Sequence, residues 1–389
     1  MRGKISLSKM VNCWIAVFLT LLATSVPAQD GGSDIAIGKS YKVQSTILGE
    51  ERTISIYLPD GYEESAEAFP VLFLLDGEMK TLLMTAASAM EDNDSKGAMP
   101  QMIVVGIDNP NATRDYFPVI FQDRPGTGQA DNFIRFLAEE LIPWTSANFR
   151  TVNYRILCGC SNAGLFTVYT YLTKPETFNA YVAPSPSIGW FKDYMLELMK
   201  TSFKADRMAG RPIYMNYATD DFDDIVTSAM PDFVDAFRNG AKADVRWTME
   251  VIEGAGHVPY ISIHNGLRFI FDGWKYPPEK LKSDGLEPLK EYYKNLSDRF
   301  GFSVKVPSGT LRDLGMDYYQ GQEYDKAIEV FSFYIEEYPN HVRGYYLLGA
   351  SYDKKGDREL AVKFLEKAIE IDPEFTPAKT KLEQVKNTK

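Results

Sequence analysis

The 389-residue chain has three histidines and three cysteines, and it is short of positive charge: 42 Lys and Arg stand against 53 Asp and Glu, a formal net charge of −11. Each shortage excludes something. His257, His264 and His341 are too few for a multi-histidine metal site, and neither a metal nor an organic cofactor is expected. Three cysteines cannot form a disulfide framework, and Cys158 and Cys160, two residues apart, cannot bridge comfortably. A nucleic-acid partner needs a positive field to hold its phosphates, and this chain does not supply one. Long apolar runs are missing too. Residues 11–22 form an apolar stretch shorter than the ~20 residues of a bilayer span, and no other stretch approaches that length. What is present, 45% hydrophobic and 24% charged residues, is ordinary for a folded globular protein. The length exceeds one typical domain of ~100–200 residues and predicts a large domain with a smaller one appended.

The first residues read as a targeting segment. Arg2, Lys4 and Lys9 precede the apolar stretch, and Val26-Pro27-Ala28 offers small residues for cleavage. A signal peptide over 1–28, a mature chain from Gln29, no membrane span after cleavage and a periplasmic or secreted location are the expectations.

Residues 29–276 alternate short apolar runs with helical patterns. Residues 42–48 and 52–58 read as a hairpin around Gly49-Glu50. Residues 71–75 and 102–107 are continuous apolar runs, as expected of strands buried on both faces. Further strands are expected at 155–158, 180–183, 213–217 and 246–252, with helices at 132–147 and 163–172. Strands and helices in alternation predict an α/β fold with a mostly parallel sheet. Residues 277–308 open with Pro277-Pro278 and continue into an amphipathic helix over 286–300; this is expected to be a helical linker or a bridging element.

Residues 309–389 read as all helical and contain an internal repeat. Leu311, Leu314, Gly315, Tyr318, Ala327, Phe331, Tyr334 and Pro339 are matched about 34 positions later by Tyr345, Leu348, Gly349, Tyr352, Ala361, Leu365, Ala368 and Pro373. The period and residue types are those of two tetratricopeptide repeats, followed by a terminal helix over 376–386. Such repeats are either a stabilising cap or a groove for a protein partner, and the pattern does not choose between them.

The chemistry is expected at Gly159-Cys160-Ser161-Asn162-Ala163-Gly164, between a strand and a helix. A serine at a sharp strand-to-helix turn exposes its hydroxyl at the carboxyl edge of a sheet, and its neighbours two before and two after must be small. Gly159 and Ala163 meet that demand. A base and an acid should follow in the order Ser, acid, His. His257 lies on a Gly-rich loop after the last strand, in Glu253-Gly254-Ala255-Gly256-His257. His264 and His341 sit in helical segments. Candidate acids Asp220, Asp221, Asp223 and Asp224 all follow the strand at 213–217. Cys160 is expected to pack inward as a small hydrophobe.

Several blocks resemble the esterase family of the α/β-hydrolase superfamily. That group includes enterobactin-esterase-like siderophore hydrolases, S-formylglutathione hydrolases, and feruloyl and acetylxylan esterases. The blocks are Phe69-Pro70-Val71-Leu72-Phe73-Leu74-Leu75-Asp76-Gly77, Ile103-Val104-Val105-Gly106-Ile107, Arg114-Asp115-Tyr116-Phe117-Pro118, the elbow itself, Ser185-Pro186-Ser187 and Asn265-Gly266-Leu267-Arg268-Phe269. The resemblance covers about 41–274 in unbroken order. It implies Ser161 as nucleophile, His257 as base and Asp221 as acid, with Asp220 second. It also implies an oxyanion hole from the backbone N–H of Asn162 and that of Gly77 or Glu78, and substrate contacts at Arg114, Asp115 and Trp190. Cys160 stands where histidine is common in the family, and Asn162 and Ala163 replace a bulky residue and glycine.

The expected activity is that of an exported serine esterase. Its substrate class would be a siderophore lactone or an acyl or feruloyl ester of a carbohydrate. Two alternatives remain open at this point: acyl transfer on the same triad, and a non-catalytic binding protein acting through the repeats.

Overall fold

The computed structural model describes residues 36–63, 66–95, 97–205, 207–258 and 260–387. The expected signal peptide lies outside them. Eight strands form one sheet in the order β1-β2-β4-β3-β5-β6-β7-β8. They are β1 Lys39–Ser45, β2 Glu50–Tyr57, β3 Phe69–Leu75, β4 Ile103–Ile107, β5 Thr151–Cys158, β6 Ala180–Pro184, β7 Ile213–Ala218 and β8 Trp247–Ile252. The β1–β2 hairpin and the β2–β4 pair are antiparallel, and every other pairing is parallel. β3, β4 and β6 are buried at every position, which is why they read as unbroken apolar runs.

Helices cover both faces. On one face Phe73, Leu75 and Val105 of the sheet join Phe133, Phe136, Phe166 and Phe237 of the helices. On the other, Leu72, Leu74, Ile156 and Val182 pack with the helices Lys80–Ser95 and Ile261–Ile270. The helix expected over 132–147 is broken into Ala130–Arg135, a π-turn at Phe136–Leu141 and Ile142–Asn148. Pro143 has no N–H to give the carbonyl one turn back, and the N–H of Ile142 bonds instead to Leu137, five residues behind it.

Residues 277–308 pack onto the second core. The helix Leu286–Phe300 buries Leu289, Tyr293, Leu296 and Phe300, and that stripe continues the second core. Phe300 meets the rings of Tyr154, Phe271 and Trp274 at centroid distances of 5.3 Å each. The two repeats follow as helix pairs Ser308–Gln320 with Tyr324–Glu337 and Val342–Lys355 with Arg358–Ile371, closed by Thr376–Asn387. Leu311, Leu314 and Phe331 of the first repeat belong to the same core cluster as strand residues Leu72 and Ile156. From Ile37 onward the chain is therefore one compact unit. Among the described residues, no helix is long and apolar enough to cross a membrane.

Candidate active site

β5 ends at Cys158 and the helix Asn162–Thr173 begins four residues later, so the chain reverses within a few residues. Ser161 takes the strain, at φ 56° and ψ −118°. Gly159 is demanded by close approach: a Cβ there would lie 2.5 Å from the Ala163 carbonyl oxygen and 2.8 Å from the Thr167 hydroxyl oxygen. The turn is pinned to β6 by two backbone bonds, Gly159 N–H to the Val182 carbonyl at 3.1 Å and Ser161 N–H to the Pro184 carbonyl at 3.0 Å. Cys160 is 4% exposed and faces the second core. A hydrogen bond with Cys158 and burial push its thiol pKa well up, so it stays an inert packing residue.

The loop after β7 carries the four aspartates, and the structure separates their roles. Asp221 has no exposed side-chain surface, and both its carboxylate oxygens lie 3.0 Å from His257 Nδ1. Its Oδ1 also accepts the Asp223 N–H at 2.8 Å. Asp223 caps the short helix Asp224–Thr227 by accepting the Ile225 N–H, and Asp224 opens that helix. Asp220 is exposed and accepts a bond from its neighbour Thr219.

His257 keeps 17% of its side chain exposed, and its ring is covered by Phe222, which is itself 83% exposed. Val258, the next residue, sits at φ 50°, which is costly for a β-branched side chain. Its N–H bonds Ser185 Oγ at 3.3 Å, tying the histidine loop to the end of β6. Ser161 Oγ lies 3.2 Å from Ser187 Oγ. Among the described residues no hydrogen bond joins Ser161 to His257. His264 lies with Met84, Tyr260 and Ile261 on the outer face of its helix. His341 caps the second repeat against Tyr334.

The third component is the turn after β3. Asp76 is at φ 57°, and a Cβ on Gly77 would come within 2.4 Å of the Gly106 and Ile107 backbone. Gly77 N–H donates to the Ile107 carbonyl at 2.9 Å, so it is not available to an oxyanion. Of the two donors expected from this turn, the structure leaves Glu78, whose N–H has no acceptor among the described residues. The N–H of Asn162, the first residue of its helix, likewise has no intrahelical partner. Asp76 was not foreseen as part of the site. Burial pushes its carboxyl up to about 6, opposed by the Tyr116 hydroxyl, which donates to Oδ1 at 2.7 Å; the charge of Glu78 adds to the rise.

Asp115 is a correction, while Arg114 keeps 19% of its side chain exposed. Asp115 is 1% exposed and pairs with the buried Arg52, while Arg114 donates to both oxygens of Glu50 and to Asp115. Their charges are satisfied within this cluster, which ties the β1–β2 hairpin to the helix Ala112–Asp115, and Asp115 is sealed from any substrate. Trp190 lies beside the elbow, donating from Nε1 to Asn162 Oδ1 at 3.0 Å and packing on Phe117 and Phe121. Ser187 was visible only as part of a three-residue block, and no local pattern marked it as a partner of Ser161.

Comparison with known proteins adds a family frame. The family described as "Putative esterase" matches residues 45–224, and tetratricopeptide-repeat models match 311–341 and 342–375. The ferri-bacillibactin esterase BesA of Bacillus subtilis is 28% identical over 227 residues, 52% of this chain and 78% of that protein. The structure is similar to an IroE-like serine hydrolase from Shewanella oneidensis, with a TM-score of 0.65 and 25% identity, over 77% of this chain and 99% of the other. An uncharacterised protein from Capnocytophaga ochracea shares the fold over 90% of this chain and 100% of its own, at 21% identity and a TM-score of 0.63.

Proposed function

We propose that this chain, a carboxylic ester hydrolase whose residues 45–224 match the esterase family, is an exported serine esterase working through an acyl-enzyme on Ser161. The observation that carries the reading is a strained serine elbow after β5 together with a hydrogen-bonded Asp221–His257 pair on the loops after β7 and β8, all following strands of one sheet. Ser161 Oγ attacks the ester carbonyl and His257 takes its proton through Nε2. Asp221 holds the opposite Nδ1–H and stabilises the imidazolium. The N–H groups of Asn162 and Glu78 receive the oxyanion, a contribution of about 3–4 kcal/mol per donor in comparable sites. His257 returns the proton to the leaving alcohol, and water then releases the acyl group.

The relatives named for siderophore esters support a siderophore ester as substrate. The repeats add a surface suited to a protein partner. A periplasmic or secreted location follows from the leader-like segment at 1–28 and is tested by N-terminal sequencing of the protein from an envelope or medium fraction, with Gln29 expected first.

The direct test is turnover on a panel of chromogenic and natural esters with Ser161→Ala, His257→Ala and Asp221→Asn. The first two should each lose several orders of magnitude, and Asp221→Asn about 10⁴-fold. A Ser161→Ala enzyme with near-normal turnover would sink the proposal. Equal, mild losses at Asp220 and Asp221 would move the acid elsewhere.

A further inference from the structure

The reading of Ser161 as nucleophile leaves its hydroxyl's observed neighbour without a role. Ser187 lies three residues past the end of β6 and has no exposed surface. It is held to the elbow from several directions. Its N–H donates to the Ser161 carbonyl at 3.1 Å. Its carbonyl accepts the Trp190 N–H at 3.3 Å, and the Trp190 indole reaches Asn162 Oδ1 at 3.0 Å. Its Oγ is 3.2 Å from Ser161 Oγ.

The direction of that last bond follows from proton accounting. A fully buried hydroxyl whose proton finds no acceptor costs about 1–3 kcal/mol. Ser161 Oγ is the one side-chain partner of Ser187 Oγ among the described residues. If Ser161 donated, the Ser187 proton would be stranded in the interior. If Ser187 donates, its proton is satisfied. Ser161 is half-buried, so its own proton stays free for an outside acceptor.

We infer that Ser187 is a further catalytic residue: it donates a hydrogen bond to Ser161 Oγ, directs the Ser161 proton toward His257, and stabilises the negative charge that builds on Oγ. This rests on the proposed role of Ser161. In acylation the Oγ–C bond forms, the carbonyl electron pair moves onto oxygen, and the Ser161 proton goes to His257 Nε2. Ser187 keeps its own proton throughout. In deacylation Oγ becomes the leaving group, and the same donor stabilises it again. Both half-reactions gain, because a hydrogen bond to a charged acceptor is stronger than one to a neutral hydroxyl.

The experiment compares wild type with Ser187→Ala, Ser187→Thr and Ser161→Ala. It measures the rate of inactivation by a fluorophosphonate probe, kcat and KM on a small chromogenic ester, and thermal melting. Ser187→Ala should slow inactivation and lower kcat by about 10- to 100-fold. KM should change by less than about threefold, and the melting temperature should move little. Ser187→Thr should recover part of the rate if its extra methyl is accommodated; if it does not fold, the kcat-against-KM split of Ser187→Ala carries the decision. Wild-type rates in Ser187→Ala would overturn the inference while leaving the serine esterase reading intact. Faster inactivation would also overturn it, because the hydroxyl pair would then be a resting lock. Labelling that survives Ser161→Ala would instead remove the nucleophile on which the inference stands.

Discussion

Asp76, Ser161, Ser185 and Val258 all have positive φ, and none is glycine. Each such residue costs of order 1–3 kcal/mol and persists only where its surroundings hold it. They follow β3, β5, β6 and β8, so the strain gathers where the candidate chemistry is. Asp76 adds an electrostatic cost. Its folded pKa of about 6 lies above the ordinary 3.8, so the native state holds its proton more tightly than the unfolded state does. Stability from this group is fully present below pH 3.8 and is lost as pH rises to about 6. Asp76→Asn keeps the Oδ1 acceptor for the Tyr116 hydroxyl and removes the charge. It should melt higher than wild type at pH 7.5, and the gap should shrink at pH 4.5. Thermal melts at the two pH values check this, and a gap independent of pH would show that Asp76 does not titrate in this range.

The same scale explains what the sequence could reveal. Ser161 was legible because its small neighbours are a local steric requirement, and His257 because so few histidines compete with it. Asp221 could not be separated from Asp220 by pattern: adjacent loop residues point different ways, and one is sealed against His257 while the other faces solvent. Ser187 and Asp76 were hidden because their partners, Ser161 and Tyr116, lie 26 and 40 residues away. Arg114 and Asp115 read as polar residues in a familiar block, yet their partners Glu50 and Arg52 stand on the hairpin more than 60 residues earlier.

At the scale of elements, the elbow shows how one missing atom sets a turn. A methyl on Gly159 meets the Ala163 carbonyl and the Thr167 hydroxyl, and the carbonyl is backbone that cannot swing aside. Gly159→Ala should therefore destabilise the fold by about 1–3 kcal/mol and displace the nucleophile. Urea unfolding should show the first effect, and kcat the second, with a loss of at least about tenfold. A variant with wild-type kcat and midpoint would mean that the turn relaxes at no cost. Strands came through clearly in the sequence, since β3, β4 and β6 are buried on both faces. Helix interiors were less clear. The π-turn at Phe136–Leu141 follows from Pro143 but leaves the apolar spacing nearly unchanged, so periodicity alone read one continuous helix. The helix Leu286–Phe300 was legible in its bounds, but an amphipathic stripe does not say what it packs against, so linker and bridging element both stayed open in the sequence.

At the scale of the whole molecule, the repeats and the candidate chemistry lie at opposite edges of the sheet. Phe69 and Pro70 begin β3, Met99 to Gln101 precede β4, and Val152 begins β5. These residues line one cavity of ≈ 440 Å³ with Trp274, Phe302, Val304 and Tyr338 from the C-terminal region. Lys305 reaches Glu67 there at 2.8 Å. Asp76, Ser161 and the His257 loop lie at the other ends of the strands. A seven-residue strand such as β3 spans about 20 Å, so a repeat docked at its start does not wall the site at its end. Removing residues 309–387 should therefore leave kcat/KM on a small soluble ester within a few-fold of wild type. Stability is another matter. The first repeat buries Leu311, Leu314 and Tyr318 in the core cluster that also contains Leu289, Tyr293 and Val306. Each such side chain contributes about 1.5–3 kcal/mol, against a total of about 5–15 kcal/mol for a typical protein. The truncation should lose several kcal/mol in urea and expose a patch that favours association. A longer truncation that also removes Leu286–Phe300 should fail to fold, because Tyr154, Phe271 and Trp274 would lose the Phe300 ring that covers them. Circular dichroism establishes folding before rates are compared. A well-folded 309–387 deletion that loses more than about 10²-fold in kcat/KM would show that the repeats reach the site after all, as a lid or wall.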